Sequence, residues 1–429
     1  MRWRLFLLLL LLGCTRSTPL ADKVELKFLC PTEKSWQRYF NTAIELFHRK
    51  QSRIRVRMIG TGGAGLNQKF LAMVASGQAP DVSVFDETGF IAHAAKGYLV
   101  DLGSLMDGDP EFRRDDFYAQ VLKTGEYNGR LFGFPLFFST IALFYNKTLF
   151  DEAGVDYPTD DWTFDDLLAA AKTLTRDRDG DGKADQYGFM LELGTHRWPI
   201  AVWAFGGRVV DEKSRRFLLD STEAIDGVQW YADLINRHHV APAVTSYEDM
   251  NMFEQFASGR IAMTFSSRHF VDIYRRARGL QWDVAMVPKH RERATTFIST
   301  VLLITRKSRH PREAWEFIKF ASGKEAMEAG ARDKGAIPAL KSVAERLIVR
   351  DSGLPPAHDD VFLRMIPYAR LPNFARICPN AIAEYGKFHG RMERIWLGMK
   401  SAAEVLGEEV PRLNAAVRRS EEREGPAAP

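Results

Sequence analysis

The chain has 429 residues, 45% of them hydrophobic and 27% charged, and its net charge of +4 comes from both signs interspersed along the sequence. That length exceeds what a single core supports, so two domains are expected. The near balance of charge gives no basis for nucleic-acid binding, and basic clusters such as Arg275, Arg276 and Arg278 read as solvated helix faces.

Arg2 and Arg4 precede an apolar run of eight residues, Leu5 to Leu12. A membrane span needs about 20 apolar residues, whereas the h-region of an export signal needs roughly 7 to 15. Leu11-Leu12-Gly13-Cys14 resembles a bacterial lipobox. Residues 1–14 are therefore expected to be a lipoprotein signal peptide with Cys14 as the lipidated residue, the alternative being an ordinary signal peptide with an incidental cysteine. The protein is expected outside the cytoplasm, membrane-anchored through that lipid. Residues 15–22 read as a tether and 419–429 as a disordered tail. Only Cys30 and Cys378 then remain, in opposite halves of the chain. A bridge between them is conceivable, but two unpaired buried thiols are the expectation.

Val24, Leu26 and Phe28 alternate as a strand, and Trp36, Phe40, Ala43, Ile44 and Phe47 recur at helical spacing. Ile54, Val56 and Met58 alternate again, a helix follows with Leu66, Phe70, Met73 and Val74 on one face, and Val82 to Phe85 form a short apolar strand. This order predicts a parallel sheet with right-handed crossovers, so an α/β lobe opens the mature chain. Within it Gly60, Gly62 and Gly65 spell G-x-G-x-x-G, with Asp86 lying 21 residues beyond Gly65. A dinucleotide fingerprint normally follows the first strand rather than the second, and an exported protein meets little nicotinamide cofactor. A glycine-rich βα turn needing positive φ explains the same residues, and an exported NAD(P)-dependent oxidoreductase stays as the rival reading.

Further along come "SGQAPDVSVFD" (76–86), "KGYLVDL" (96–102), "NGRLFGFPLFFSTIALFYNKTLFDEAGV" (128–155), "WTFDDLLAAAKTL" (162–174), "WPIAVWAFGG" (198–207), "FASGRIAMTFSS" (256–267), "WDVAMVP" (282–288) and "AWEFIKFASGKEAM" (314–327). In content and order these segments resemble the extracytoplasmic solute-binding proteins of ABC importers, in the group that includes the maltose- and glycerol-3-phosphate-binding proteins. The resemblance implies a type II periplasmic-binding-protein fold: two α/β lobes, each a mainly parallel sheet flanked by helices, joined by a hinge. It places residues 22–138 plus 268–336 in the first lobe and 139–267 plus 337–418 in the second. It further implies a monomer that captures a sugar, polyol or glycerol-phosphate-type solute between its lobes and delivers it to permease subunits by closing. No cofactor and no turnover are expected, and solute sensing without transport is a further alternative.

Site candidates follow from the same resemblance. Phe85, Asp86 and Glu87 stand at the C-terminal end of the third strand, where open α/β sheets bind ligands. Phe138 and Ser139 occupy the first crossing between lobes, and Ser266 and Arg268 another, with Ser267 between them. Trp198 and Trp203 open a helix preceded by His196 and Arg197. Five residues turn a helix by about 500°, so the two rings cannot share one cleft, and Trp198, nearer the helix start, is favoured. Arg370 in "YARLPNFARI" (368–377) stands where glycerol-3-phosphate-type relatives meet phosphate with an arginine. Gly335 to Leu340 lacks the tyrosine that relatives often carry, and Thr295 to Thr300 lacks their paired glycines.

"DRDGDGKADQYG" (177–188) has Asp177, Asp179, Asp181 and Asp185 at calcium-loop positions one, three, five and nine, and Gly182 at six. Position twelve is Gly188, so the bidentate acid is missing and calcium is at most a structural ion. No G-x-S-x-G, H-E-x-x-H or Cys/His metal spacing occurs, and the doublet His238-His239 reads as surface.

Overall fold

The computed structural model describes residues 23–244, 252–330, 335–350, 353–379 and 382–424. The expected signal peptide, the lipidated Cys14 and the tether up to Asp22 lie outside these residues. The first lobe starts as its periodicity predicts. Strand β1 (Val24–Pro31) leads to helix α1 (Lys34–Lys50), which buries Tyr39, Phe40, Ala43, Ile44 and Phe47 and leaves its charged face in water. Strand β2 (Ile54–Thr61), helix α2 (Leu66–Ala75) and strand β3 (Val82–Asp86) complete the unit. β1 pairs in parallel with β2 from Val24↔Ile54 onward and with β3 at Phe28↔Val82.

One strand ties the molecule together. β4 (Phe134–Asn146) is 13 residues long and buried throughout, so its sequence shows no alternation. Beyond it come helix α3 (Phe164–Leu174), strand β5 (Tyr187–Met190), helix α4 (Trp198–Ala204), helix α5 (Thr222–Asn236), strand β6 (Ile261–Ser267), strand β7 (Trp282–Ala285) and strand β8 (Thr295–Ile304). The Pro311–Ala321 helix, α6, is followed by two-residue strands β9 (Ile337–Pro338) and β10 (Ala369–Arg370), the short helix α7 (Phe374–Ile377) and the long helix α8 (Ala402–Glu424).

The sheet runs β2-β1-β3-β8-β4-β6-β5, with β7 and β9 also on β4 and β10 on β8. The first half of β4 pairs antiparallel with β8 (Phe134↔Leu302 to Thr140↔Phe297), and the second half with β6 (Ile141↔Ser267 to Tyr145↔Met263). Two α/β halves therefore share a continuous crossing strand, a mixed sheet whose parallel pairs are β2-β1-β3, β5-β6 and β8-β10. β7 lies beside Leu143–Asn146 in the second half, away from the first-lobe residues with which 268–336 was expected to group. The chain returns to β3 through β8, where Thr300 faces Asp86 and Ile304 faces Val82. At the other end β9 pairs with Phe137 and Phe138, in the first half of β4.

The tail expected to be disordered from residue 419 is helical as far as Glu424, because α8 continues through it and Glu421 forms an ion pair with Arg215. No helix among the described residues is long and apolar enough to cross a membrane.

Candidate functional site

The three residues at the end of β3 separate into three roles. Phe85 is buried, its ring edge-on to Phe70 at 5.4 Å and to His93 at 5.1 Å, so it belongs to the core of the first half. Asp86 is exposed, and its Oδ1 accepts from the backbone N–H groups of Thr88 (3.0 Å) and Gly89 (2.5 Å), which makes it the cap of the following turn. Glu87 is 2% exposed, and it is the member of the trio that reaches across the molecule. Its Oε2 accepts from the Ser299 amide at 2.7 Å, and its Oε1 lies 2.9 Å from Nε2 of His196.

At the crossings the predicted residues are all buried. Phe138 is fully buried against Tyr118 and Phe297. Ser139 Oγ donates to the Thr140 carbonyl at 2.8 Å and accepts from the Arg268 amide at 2.9 Å. Ser266 is fully buried, and its hydroxyl has no hydrogen-bond partner among the described residues. Arg268, expected to meet ligand, instead forms a buried fork with Asp359 (Nε to Oδ1 2.9 Å, Nη2 to Oδ2 2.5 Å) and donates from Nη1 to the Gly335 carbonyl at 3.0 Å. Each of its three guanidinium nitrogens thus has a partner inside the protein.

The two tryptophans stand in different surroundings. Helix α4 is buried along its whole length, and Trp198 at its start is 0% exposed. Trp203, near the helix end, is also mostly covered but borders a cavity of about 740 Å³. That cavity is lined by Arg208, Asp211, Glu212, Lys213, Arg370 and Asn373, with Val209, Val210, Leu371 and Pro372 as its apolar wall. Trp203 and Arg370 thus meet, as an aromatic ring and a guanidinium on one space. Arg370 is paired with Glu292, and Arg208 lies 3.3 Å from Asp211, so most of the charge there is already compensated.

Two residues that the sequence reading passed over stand at the junction of the halves. His196 precedes α4; its carbonyl accepts from Thr296 Oγ1 at 2.7 Å while its ring meets Glu87. Arg376, six positions after Arg370 and on α7, donates to the carbonyl oxygens of Lys123 (3.1 Å), Thr124 (3.1 Å) and Glu126. Burial lowers its basicity, and the acids Glu212, Glu126 and Glu87 oppose that effect. Neither residue carries a local signature, since each is defined by a partner more than a hundred residues away.

Carboxylate oxygens of Asp177, Asp179 and Asp185 lie within 4.8 Å of one another on the surface. Asp181 stands apart, with its Oδ1 accepting from the Lys183 amide. Position twelve cannot carry an acid: a Cβ on Gly188 would lie 2.0 Å from the Ala171 carbonyl oxygen, because β5 runs directly against α3 there. The glycine motif also differs from its expected explanation. Gly62 has φ −60° and Gly65 φ −91°, and Gly60 is not among the positive-φ glycines, so no left-handed backbone is involved. Gly60 is instead closely approached, its Cβ position being 2.4 Å from the side-chain Cγ2 of Thr32. The Gly63 amide donates to Glu33 Oε1 at 3.0 Å, which puts an acid where a pyrophosphate would need N–H donors. Cys30 and Cys378 are buried and unpaired, each thiol pushed up to about 12 chiefly by burial.

The family model described as bacterial extracellular solute-binding protein matches residues 31–328. A binding protein of Brucella abortus (strain 2308) is 24% identical over 364 residues, covering 82% of this chain and 84% of the relative. Among solved structures, the sugar-binding protein MalE from Xanthomonas citri superposes with a TM-score of 0.80 at 18% identity, covering 94% of this chain and all (100%) of that one. The ABC substrate-binding protein Lmo0181 from Listeria monocytogenes, in complex with cycloalternan, gives 0.79 at 22% identity over 94% of this chain and 99% of that one.

Proposed function

Because the chain belongs to the bacterial extracellular solute-binding protein family, we propose that it is the capture component of an ABC importer for a neutral carbohydrate. On this reading solute binds between two lobes, stabilises their closed arrangement, and the closed form is what the permease recognises. The lobes would be divided at β4 and β8, with lipid on Cys14 keeping the protein at the membrane. No bond is made or broken.

The observation behind the carbohydrate reading is the cavity at Trp203 and Arg370, whose lining belongs entirely to the second lobe and would form that lobe's side of the cleft. A sugar needs an apolar plate for its C–H face and hydrogen-bonding groups for its hydroxyls, because a buried polar group left unpaired costs about 1–3 kcal/mol. Trp203 supplies the plate, and Arg208, Asp211, Glu212, Lys213 and Asn373 supply donors and acceptors of both kinds. The pairing of Arg370 with Glu292 speaks against a phosphate ester, since an anion there would face an already neutralised guanidinium. Support also comes from the sugar-binding and cycloalternan-bound proteins that share the fold.

The test is a thermal-shift screen of neutral oligosaccharides, monosaccharides, glycerophosphodiesters and NAD, followed by calorimetry on any hit. A neutral sugar at 100 times its Kd should stabilise the native state by about 2.7 kcal/mol. Stabilisation by phosphate esters or NAD alone, or chemical conversion of any compound in the panel, would overturn the proposal.

A further inference from the structure

We infer that Glu87, His196 and Arg376 form a latch of the protein's own side chains that holds the lobes together before solute arrives and thereby sets the affinity for solute. The inference rests on the two-lobe capture reading above. It goes beyond that reading by assigning part of the closing force to named residues outside the Trp203 cavity.

The first-lobe side of the latch is a rigid ledge. Thr124 Oγ1 hydrogen-bonds Ser299 Oγ at 2.9 Å, and the Ser299 amide donates to Glu87 Oε2 at 2.7 Å, so one chain of contacts joins the ends of three segments. The ledge is packed tightly enough that a Cβ on the adjacent Gly125 would lie 1.7 Å from the Gly133 carbonyl oxygen. Two groups from the second lobe grip it at opposite ends. His196 takes Glu87 Oε1 at 2.9 Å, and Arg376 takes the carbonyls of Lys123, Thr124 and Glu126.

Both grips are anchored firmly on their own side. Helix α7 is held by Phe374 stacked on Tyr385 with ring centroids 4.0 Å apart, and by Arg215 Nη2 donating to the Ile377 carbonyl at 3.0 Å. His196 lies two residues ahead of the buried Trp198. With both grips so anchored, parting of the lobes would strain the His196 and Arg376 contacts.

The chemistry of the grip suits a latch rather than a lock. The guanidinium of Arg376 donates to neutral carbonyls and has no carboxylate in direct contact among its hydrogen bonds, so its desolvation is only partly offset. Water can replace those acceptors when the lobes part, while Glu87 keeps its Ser299 amide partner. In the closed form the same contacts raise the fraction of molecules ready to hold solute. The apparent Kd is the intrinsic value divided by that fraction.

The experiment uses the full chain with no added solute. R376A, R376K and E87Q are compared with the unsubstituted protein by small-angle scattering, with circular dichroism confirming that each is folded. R376A and E87Q should show a larger radius of gyration, and R376K an intermediate one, because lysine keeps the charge but not the fork of donors. For a sugar identified by the screen, the apparent Kd of R376A should rise about tenfold or more, mainly through faster dissociation. Solute-free scattering curves of folded R376A and E87Q that superpose on the unsubstituted curve would overturn the latch. That readout needs no ligand, so it separates failure of the latch from failure of the carbohydrate reading. E87Q, which keeps the side-chain volume and an oxygen for the Ser299 amide, supplies the test should R376A fail to fold.

Discussion

Replacement of Arg268 should unfold the protein rather than empty its binding site. The guanidinium and the Asp359 carboxylate are 10% and 6% exposed as side chains and are joined by two parallel hydrogen bonds, with a third to the Gly335 carbonyl. R268M removes the cation and leaves a buried carboxylate and a buried carbonyl without their partner, a loss of about 3–5 kcal/mol. The double variant R268M/D359L takes away both charges and should recover most of that loss, since a buried ion pair replaced by apolar groups is often near neutral. Urea denaturation followed by circular dichroism gives both values, and calorimetry with an identified sugar shows whether affinity is retained in the double variant. A stable R268M that no longer binds would refute the reasoning and return Arg268 to the ligand site.

Trp198 and Trp203 should likewise part company: W198A is expected to cost about 3–5 kcal/mol of unfolding free energy with affinity retained, and W203A to weaken sugar binding by roughly thirtyfold, about 2 kcal/mol. Equal effects of the two substitutions on calorimetric affinity would contradict this. His93, buried between Phe70 and Phe85, has its imidazole pKa lowered to about 4, first by burial and then by Lys96. Its unfolded value is near 6.5, so between those pH values the unfolded chain binds the extra proton; this group's contribution is full above pH 6.5 and falls by about 3 kcal/mol on acidification toward pH 4. H93F should flatten the fall in urea midpoint between pH 7 and 4.5, and an unchanged slope would assign the acid sensitivity elsewhere.

The elements that could be read from the sequence are those whose side chains answer to local periodicity. The alternation of Val24, Leu26 and Phe28 and the helical spacing of Trp36 to Phe47 reproduce β1 and α1 because one face of each is buried and the other wet. β4 was legible only as a continuous apolar run, and that it belongs to both halves is a property of its pairing with β8 and β6. The extent of α8 was missed for a related reason. A charged terminal stretch reads as solvated tail unless its ion pair with Arg215, about two hundred residues earlier, is known.

The site shows the same limit more sharply, because a side chain at a strand end can cap a turn, fill a core, pair with a charge or face a ligand, and local spacing does not choose among these. Phe85, Asp86 and Glu87 are consecutive, yet one is core, one a cap and one a contact across the junction; the choice is made by Phe70, by the Gly89 amide and by His196 respectively. Arg370 and Arg376 sit in the same ten-residue motif, and it is the later one that buries its guanidinium, because Glu292 holds Arg370 at the cavity edge while the Thr124 carbonyl draws Arg376 inward. Closing two lobes buries polar backbone from both, and guanidinium is the side chain best shaped to satisfy several carbonyls or a carboxylate at once. Arg268 and Arg376 both meet that structural need, whereas Arg370 stays partly exposed at the cavity edge, paired with Glu292.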